Sequence, residues 1–220
     1  MAGIFTITTQ TSTTNTQLIM EKNPFFIISL PRSRTAWLAN LLTYGDYSFC
    51  HHEATRYCQT LEELNDLMDG DEWHQGNSDS CLVTWGVDNI LKMWPSARFV
   101  FIYRDSVECN RSYKAAFPEI VSRCPNTERV LIELMLQMKE LRNKLEPERV
   151  LAVSYPQLEQ TKYIREIWEF CLPGLPFPVQ RVNMLQQMRV DTIFQKMMQN
   201  VHPKLQKQFQ KLKRKQSVLP

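Results

Sequence analysis

The sequence predicts an α/β fold in which a parallel β-sheet is flanked by helices. Two observations support this fold, and a third indicates where it binds a ligand. Short apolar segments alternate with helical stretches from Pro24 onward, which is the pattern of right-handed βαβ units. The apolar segments are continuous, as in strands that are covered on both faces. Arg32 and Arg104 each stand just after one of these segments. Because ligands bind at the carboxyl ends of parallel strands, the two arginines indicate an anion site at that edge.

Length and composition fit a single globular domain. The chain has 220 residues, with 43% hydrophobic and 22% charged side chains, and this composition argues against a disordered protein. The longest strictly apolar runs, 25–28 and 99–103, are much shorter than the roughly 20 residues that cross a bilayer, so we expect no stable membrane insertion. We interpret 1–20 as a threonine-rich lead-in and 21–220 as one domain with a basic helical tail at about 192–220.

Charge and cysteine content narrow the class of protein further. The net charge is +3, but residues 192–220 hold seven basic residues and no acid, which leaves −4 on the rest of the chain. This distribution does not fit a dedicated nucleic-acid binder, so we expect no nucleic-acid partner. The six cysteines form no CxxC pair. We expect them to be reduced and buried, as in a cytoplasmic protein.

The apolar segments predict strands over 25–30, 98–103 and 150–154, and shorter strands over 47–50 and 80–84. Between them, apolar residues at helical spacing predict helices. The clearest helix carries an apolar stripe from Val130 to Leu145 and stops before Pro147, a residue that ends helices. The predicted helices cover 35–43, 61–68, 87–94, 107–117, 127–145, 162–171 and, broken at Pro203, 182–215.

The segment LPRSRTAW at 30–37 combines the features of an anion site. A strand, a tight turn and a helix start meet there, and the N–H groups of a first helical turn are unpaired and favour negative charge. Arg32 and Arg34 add guanidinium groups, and Ser33 and Thr35 add hydroxyls. The alternative is a solvated loop in which Thr35 only caps the helix. The segment lacks the GxxxxGK[ST] pattern of a Walker A loop, which disfavours a magnesium-dependent triphosphatase, and we expect no metal.

A second candidate anion-binding pair lies in the segment 99–113. Arg104 ends the predicted strand, and Ser112 follows eight residues later on the predicted helix, so that both side chains can reach one phosphate from two sides. The planar guanidinium of arginine binds phosphate oxygens bidentately. The alternative is that Arg104 pairs with Asp105 or Glu108 at the surface and that Ser112 is incidental.

Taken together, the two motifs resemble those of the sulfotransferase family, and most of all its bacterial and bacteriophage members. The resemblance rests on the PRSRT turn and on the RD-x6-S pattern about 70 residues later. It continues over 150–177, which is similar to the Y-x-x-L and F-L-G-L-P-F stretch of the family. The resemblance implies a P-loop NTPase-like sulfotransferase architecture, with 3′-phosphoadenosine 5′-phosphosulfate as the sulfuryl donor.

The resemblance also implies roles for individual residues. It implies that Arg104 and Ser112 bind the 3′-phosphate of the donor and that the first motif binds its 5′-phosphosulfate. The residues of the first motif are Arg32, Ser33, Arg34, Thr35, Ala36 and Trp37. Arg34 stands where the family has a glycine, and Ala36 stands where it has a second hydroxyl. Arg32 is the candidate catalytic residue that stabilises charge on the leaving oxygen.

The acceptor must lose a proton, and histidine is the usual base near neutral pH. His51 and His52 follow the predicted strand at 47–50 and precede Glu53. We favour His52 as the base, with Glu53 as a catalytic partner that orients it. The alternative is that these residues form a polar surface loop. Asp79 is another candidate polar group for this role, but we favour its interpretation as a turn residue in an Asn/Ser/Asp loop.

The sequence therefore predicts a cytoplasmic sulfotransferase that acts on a hydroxyl or amine of a small-molecule acceptor. Two alternatives stay open. One is a kinase-like P-loop-fold protein that binds a phosphorylated nucleotide, and the other is a non-catalytic family member that keeps the fold to bind a ligand. The sequence leaves the oligomeric state undetermined.

Overall fold

Five parallel strands form one sheet in the computed structural model, which describes residues 24–69, 74–123 and 126–188. The strands are β1 (Phe25–Ser29), β2 (Ser48–His52), β3 (His74–Asp79), β4 (Arg98–Tyr103) and β5 (Val150–Ser154). They lie in the order β2-β3-β1-β4-β5. The predicted parallel α/β class is confirmed, and so are the strands predicted over 98–103 and 150–154.

Helices connect the strands and cover both faces of the sheet. The α-helices of the described residues are α1 (Thr35–Leu42), α2 (Leu61–Met68), α3 (Val87–Met93), α4 (Ser106–Ala116), α5 (Pro118–Arg123), α6 (Thr127–Asn143), α7 (Thr161–Cys171) and α8 (Val179–Gln187). Short 3₁₀ helices cover Ala54–Arg56, Leu82–Trp85, Pro147–Arg149 and Tyr155–Glu159. The six helices predicted between 35 and 171 are present, each within two residues of its predicted ends. The sequence did not predict α5.

The central strand β1 shows why a continuous apolar segment becomes the middle of the sheet. All five of its residues are buried. Phe26 and Ile28 pack on one face, and Phe25 and Ile27 pack on the other, because successive side chains of a strand point to opposite faces. Burying each such side chain contributes about 1.5–3 kcal/mol. That gain requires helices on both faces of the sheet.

Two apolar cores lie on the two faces. The core that contains Phe26 includes residues of α3 and α6, among them Ile90, Leu131 and Met138. The core that contains Phe25 includes residues of α1, α7 and α8, among them Leu38, Trp168 and Leu185. The helices thus pack against both faces of the sheet, and the connecting loops lie at the carboxyl edge of the strands.

The strand predicted over 80–84 is wrong. The strand lies earlier, as β3, and Leu82–Trp85 is a 3₁₀ helix. The sequence of β3, HQGNSD, contains no apolar side chain that would mark a buried strand, yet all six residues are buried. Gly76 allows close packing there, because a Cβ atom at this position would lie 2.1 Å from the ring of Phe25 on the adjacent strand.

The interpretation of Asp79 as a loop residue is also wrong. Asp79 is the last residue of β3 and is fully buried. The strand β2 extends to His52, so His51 and His52 belong to a strand and not to a polar surface loop. All strands of the sheet are parallel. The ends of β2 and β3 therefore lie at the same edge as the loop after β1.

Several predicted features fall wholly or partly outside the described residues. The lead-in at 1–20 and the basic tail at about 192–220 are among them. Of the helix predicted over 182–215, the described part is α8, which ends at Gln187. Four of the five described cysteines are buried, as predicted, and none of the five forms a disulfide. No helix within the described ranges is long and apolar enough to cross a membrane.

Candidate functional site

The loop after β1 turns sharply into α1. Arg32 and Arg34 have left-handed backbone conformations, with φ of 67° and 64°, which cost an L-residue about 1–2 kcal/mol. Arg34 directly precedes α1, and its side chain makes no capping hydrogen bond to that helix. The N–H groups of the first turn of α1 therefore receive no side-chain acceptor from Arg34, the residue at the N-cap position. Together with the helix dipole, they suit an anion.

The side chain of Arg34 turns away from α1 toward the 3₁₀ helix Tyr155–Glu159. It forms an ion pair with Glu159 and donates a hydrogen bond of 3.3 Å to the carbonyl of Leu158. Its guanidinium also lies 5.9 Å and 5.7 Å from the ring centroids of Trp37 and Tyr155. These contacts offset part of the cost of holding an arginine in a conformation that favours glycine.

The two arginine motifs meet at the carboxyl edge of the sheet. Nε of Arg32, in the first motif, donates to Oγ of Ser112, in the second, over 3.4 Å. Arg104 donates through Nη1 to the backbone carbonyl of Arg32. The strands β1 and β4 are adjacent and parallel, with Ser29 opposite Ile102, so the segments that follow them lie side by side. The residues that the sequence predicted for two ends of one ligand thus form a single site.

Arg104 has a donor that fits a ligand. Its Nε is buried and has no hydrogen-bond acceptor among the described residues. It does form a loose ion pair with Glu108, over 3.8 Å, as the alternative in the sequence analysis allowed. The guanidinium carbon lies 4.1 Å from the ring centroid of Tyr155. Asp105 does not pair with Arg104 but caps α4 by accepting from the Glu108 N–H over 2.9 Å. An unpaired buried N–H is unfavourable, and a phosphate oxygen would satisfy it.

Three side chains of the first motif face the core. Ser33 is fully buried, with Oγ 3.7 Å from Sγ of Cys109. Trp37 donates its indole N–H to the carbonyl of Leu185 over 2.9 Å. Ala36 is also buried. These residues stabilise the loop and the start of α1, and the groups that they can offer an anion are their backbone N–H groups.

Thr35 connects the first motif to the predicted base. Its Oγ1 lies 3.1 Å from Nε2 of His52 and donates to Oε1 of Glu53 over 3.1 Å. Glu53 has a left-handed φ of 51° immediately after β2, and this turn brings its carboxylate back to α1. The structure thus brings His52 and Glu53 to the first motif. His51 lies elsewhere, with its ring centroid 4.6 Å from that of Phe49.

Two more side chains contact the Glu53 carboxylate. Ser80 Oγ donates to both oxygens over 3.0 and 2.9 Å. Arg56 Nε lies 3.4 Å from Oε2. The carboxylate is therefore held from three sides, by α1, by the segment after β3 and by the 3₁₀ helix that follows Glu53 itself.

The strand β3 supplies the supports of this turn, and the sequence analysis missed them. Asp79 accepts hydrogen bonds from the N–H and the hydroxyl of Thr55, and Asn77 accepts from the N–H of Ala54. These acceptors cap the 3₁₀ helix Ala54–Arg56, which its own preceding residue does not cap. The one available signal was the polar run NSDS at 77–80. Polar residues are rare in a buried strand unless their side chains form hydrogen bonds there.

Burial shifts the pKa values of His52 and Glu53 in opposite directions. Desolvation first, and the Arg56 cation second, lower the pKa of His52 to about 4. Desolvation first, and the nearby Asp79 second, raise the pKa of Glu53 to about 7, against smaller opposing effects of Arg56 and of two hydroxyl donors. Near neutral pH His52 is therefore uncharged, and Glu53 can both take up and release a proton.

A metal ion does not fit this cluster. Ligand atoms of Glu53, Asp79 and Cys81 lie within 4.8 Å of one another. Asp79, however, already accepts hydrogen bonds from Thr55, Asn77 and the Cys81 N–H. Burial first, and the neighbouring acids second, raise the pKa of the Cys81 thiol. Because a metal needs deprotonated ligands with available lone pairs, the three residues are poor ligands.

One family profile matches the chain over more than half of its length. A profile described as "Sulfotransferase family" matches residues 49–178, which include the His52–Glu53 turn and the Arg104 motif but not the loop after β1. A search of curated protein sequences finds no match.

Two similar solved structures support the architecture. One is a sulfotransferase from Alicyclobacillus acidocaldarius, 12% identical, which covers 87% of this chain and 95% of its own with a TM-score of 0.58. Another is mouse sulfotransferase SULT7A1 complexed with PAP, 13% identical, which covers 86% of this chain and 82% of its own with a TM-score of 0.50. At these identities the likeness is one of fold, and it confirms the predicted P-loop NTPase-like sulfotransferase architecture. The bacterial or bacteriophage character of the chain stays a prediction.

Proposed function

The chain belongs to the sulfotransferase family, and on that premise we propose that it transfers a sulfuryl group from 3′-phosphoadenosine 5′-phosphosulfate to a hydroxyl or amine of a small acceptor. The observation that carries the proposal is the meeting of the two arginine motifs, through the contacts of Arg32 with Ser112 and of Arg104 with the Arg32 carbonyl. We place the reaction in the cytoplasm, because the described cysteines are free thiols, which is typical of a reducing compartment.

In this proposal Arg104 and Ser112 bind the 3′-phosphate of the donor. Arg104 has a buried N–H without an acceptor in the described part of the chain, and its planar guanidinium suits two phosphate oxygens. Ser112 accepts a hydrogen bond from Arg32, so its own hydroxyl hydrogen is available to a phosphate oxygen. The similar mouse sulfotransferase was solved as a complex with PAP, which supports a donor of this type.

Arg32 and the start of α1 act at the reacting end of the donor. As sulfur bonds to the acceptor oxygen or nitrogen, its bond to the phosphate oxygen breaks, and negative charge grows on that oxygen. The Arg32 guanidinium and the N–H groups of the first helical turn stabilise this charge. Removing one such donor lowers a rate by about 10²–10³. The step needs positioned charge and no metal.

His52 removes the proton of the acceptor, with Glu53 as its partner. Burial keeps His52 uncharged near neutral pH, since its pKa is lowered to about 4, and an uncharged imidazole has a lone pair for a proton. Its contact with Thr35 places it beside the start of α1, where the donor is bound in this proposal. General-base catalysis of this kind contributes about 10²–10⁴ to a rate.

Discrimination between nucleotides tests the donor assignment. The protein should bind adenosine 3′,5′-bisphosphate more tightly than 5′-AMP in calorimetry. A charge-assisted bond from Arg104 is worth about 1.5–3 kcal/mol, which corresponds to about tenfold to a hundredfold in Kd. Arg104→Ala should remove most of this preference, whereas Arg129→Ala, which changes an exposed arginine of α6, should keep it.

The outcomes also separate the alternatives. Equal affinity of the unmodified protein for the two nucleotides would contradict the donor assignment and favour a kinase-like ligand. Tight binding of the bisphosphate without any consumption of 3′-phosphoadenosine 5′-phosphosulfate, across a panel of phenols, alcohols and amines, would favour a non-catalytic member of the family.

A further inference from the structure

We propose that Thr35 is a proton relay between His52 and Glu53, so that Glu53 holds the acceptor's proton at the end of the step. The inference rests on the proposed function, because it concerns the base of the same reaction. Thr35 belongs to the motif expected to bind the donor, yet its Oγ1 lies 3.1 Å from Nε2 of His52 and 3.1 Å from Oε1 of Glu53. Those two atoms are 3.9 Å apart, too far for a direct hydrogen bond.

The single hydroxyl hydrogen of Thr35 gives this bridge two states. When Glu53 is ionised, Thr35 donates to Oε1 and accepts from Nε2–H of His52, which leaves the imidazole lone pair on Nδ1. When Glu53 is protonated, its O–H donates to Thr35, and Thr35 donates to Nε2, so the imidazole hydrogen is on Nδ1. His52 is uncharged in both states, and the two states differ in its tautomer.

Proton transfer from the acceptor converts the first state into the second. The acceptor's proton moves to Nδ1 of His52 as the bond from sulfur to the acceptor forms. The Nε2 hydrogen moves to Oγ1 of Thr35, and the hydrogen that Thr35 held moves to Oε1 of Glu53. One proton leaves the acceptor and one arrives at Glu53, so the balance closes without a charged imidazole. The reverse path returns the proton to solvent after the product leaves.

The surroundings favour Glu53 over His52 as the final site of the proton. The charged or titratable groups around the bridge are Arg56 on the 3₁₀ helix, Asp79 at the end of β3 and Cys81 just after it. Arg56 and burial oppose an imidazolium, and Asp79 and burial oppose an ionised Glu53. The pKa of Glu53, about 7, is therefore above that of His52, about 4, which is the reverse of their order in water.

The relay is tested first by two replacements of Thr35. Thr35→Val keeps the size of the side chain but loses the hydroxyl, and Thr35→Ser keeps the hydroxyl. We expect Thr35→Val to lower kcat by about 10²-fold, as for the loss of general-base catalysis, with Kd for adenosine 3′,5′-bisphosphate unchanged and with most of kcat retained in Thr35→Ser. An unchanged kcat in Thr35→Val, or a loss of nucleotide affinity that matches the loss of kcat, would overturn the relay.

A second measurement does not depend on turnover or on the stability of Thr35→Val. Nitrogen-15 NMR of the His52 ring should show the Nε2–H tautomer well above pH 7 and the Nδ1–H tautomer below it, because Glu53 takes up its proton at a pKa of about 7. In Glu53→Gln the tautomer should not change around pH 7. A tautomer that stays constant in the unmodified protein would overturn the relay, even if sulfuryl transfer is normal. The expected change in a protein without sulfuryl transfer would support the bridge and contradict the proposed function.

Discussion

Replacing Arg34 by glycine and by alanine should separate the cost of its backbone conformation from the value of its side chain. Arg34 has φ of 64° and ψ of 26°, a conformation that costs an L-residue about 1–2 kcal/mol and costs glycine almost nothing. Both replacements delete the same side-chain contacts. Their difference in stability therefore reports the cost of the backbone conformation and the entropy of the unfolded chain, and no side-chain contact.

The structure supplies the magnitudes. Both variants lose the hydrogen bond to Leu158, worth about 0.5–1.5 kcal/mol, and the ion pair with Glu159, whose side chain is 65% exposed and which is worth about 1 kcal/mol at most. We therefore expect both to be less stable than the unmodified protein. Alanine gains about 0.4–1 kcal/mol over glycine through the entropy of the unfolded chain, but it loses about 1–2 kcal/mol in the left-handed conformation. Arg34→Gly should therefore be more stable than Arg34→Ala by about 0.8 kcal/mol, the middle of a range of about 0–1.6 kcal/mol.

Urea unfolding measures this difference, and a second pair of variants calibrates it. Lys139 is exposed in the middle of α6, where alanine should exceed glycine by about 1 kcal/mol. The order of the two variants should thus be opposite at 34 and at 139. If Arg34→Ala is more stable than Arg34→Gly, the left-handed backbone conformation at position 34 is refuted.

Two further predictions concern the base. His52→Ala should lower kcat by about 10²–10⁴ and leave nucleotide affinity unchanged in calorimetry. As a control, His51→Ala, which loses a contact with Phe49, should mainly lower the stability of the protein. A loss of kcat below about tenfold in His52→Ala would contradict its role as the base. The pKa of Glu53 is raised from 4.5 to about 7, so between these two pH values the folded protein binds more protons than the unfolded chain. Ionising Glu53 therefore lowers the stability of the folded protein by roughly 3 kcal/mol as the pH rises from 4.5 to 7. The melting temperature of Glu53→Gln minus that of the unmodified protein should therefore increase from pH 4.5 to 7. If this difference in melting temperature does not change with pH, the pKa of Glu53 is not raised by folding.

Local patterns in the sequence were sufficient for most of the fold. The strands β4 and β5 and the helix α2 have the bounds that apolar runs and apolar spacing predicted. Each of these elements carries its own signal in the order of its apolar residues along the chain, although β5, an edge strand, buries only Val153 of its five residues. The same holds for the two arginine motifs, since a parallel sheet brings strand ends together whatever the details of its loops.

The polar part of the site was decided by the tertiary structure. No apolar pattern marks β3 as a strand. Asn77 and Asp79 are stable in the interior because they accept hydrogen bonds from Ala54 and Thr55, and Asp79 also accepts from Asn77 and from the Cys81 N–H. From the sequence, the hydroxyl of Thr35 was predicted to cap α1 or to bind the sulfuryl donor. Its partners in the structure, His52 and Glu53, lie 17 and 18 residues away along the chain. Apolar burial depends mainly on the residue itself, so the sequence by itself determined the four strands other than β3 and the arginine-rich edge of the sheet. A polar group can be buried only where a hydrogen-bond partner reaches it, and these partners are brought together by the tertiary structure.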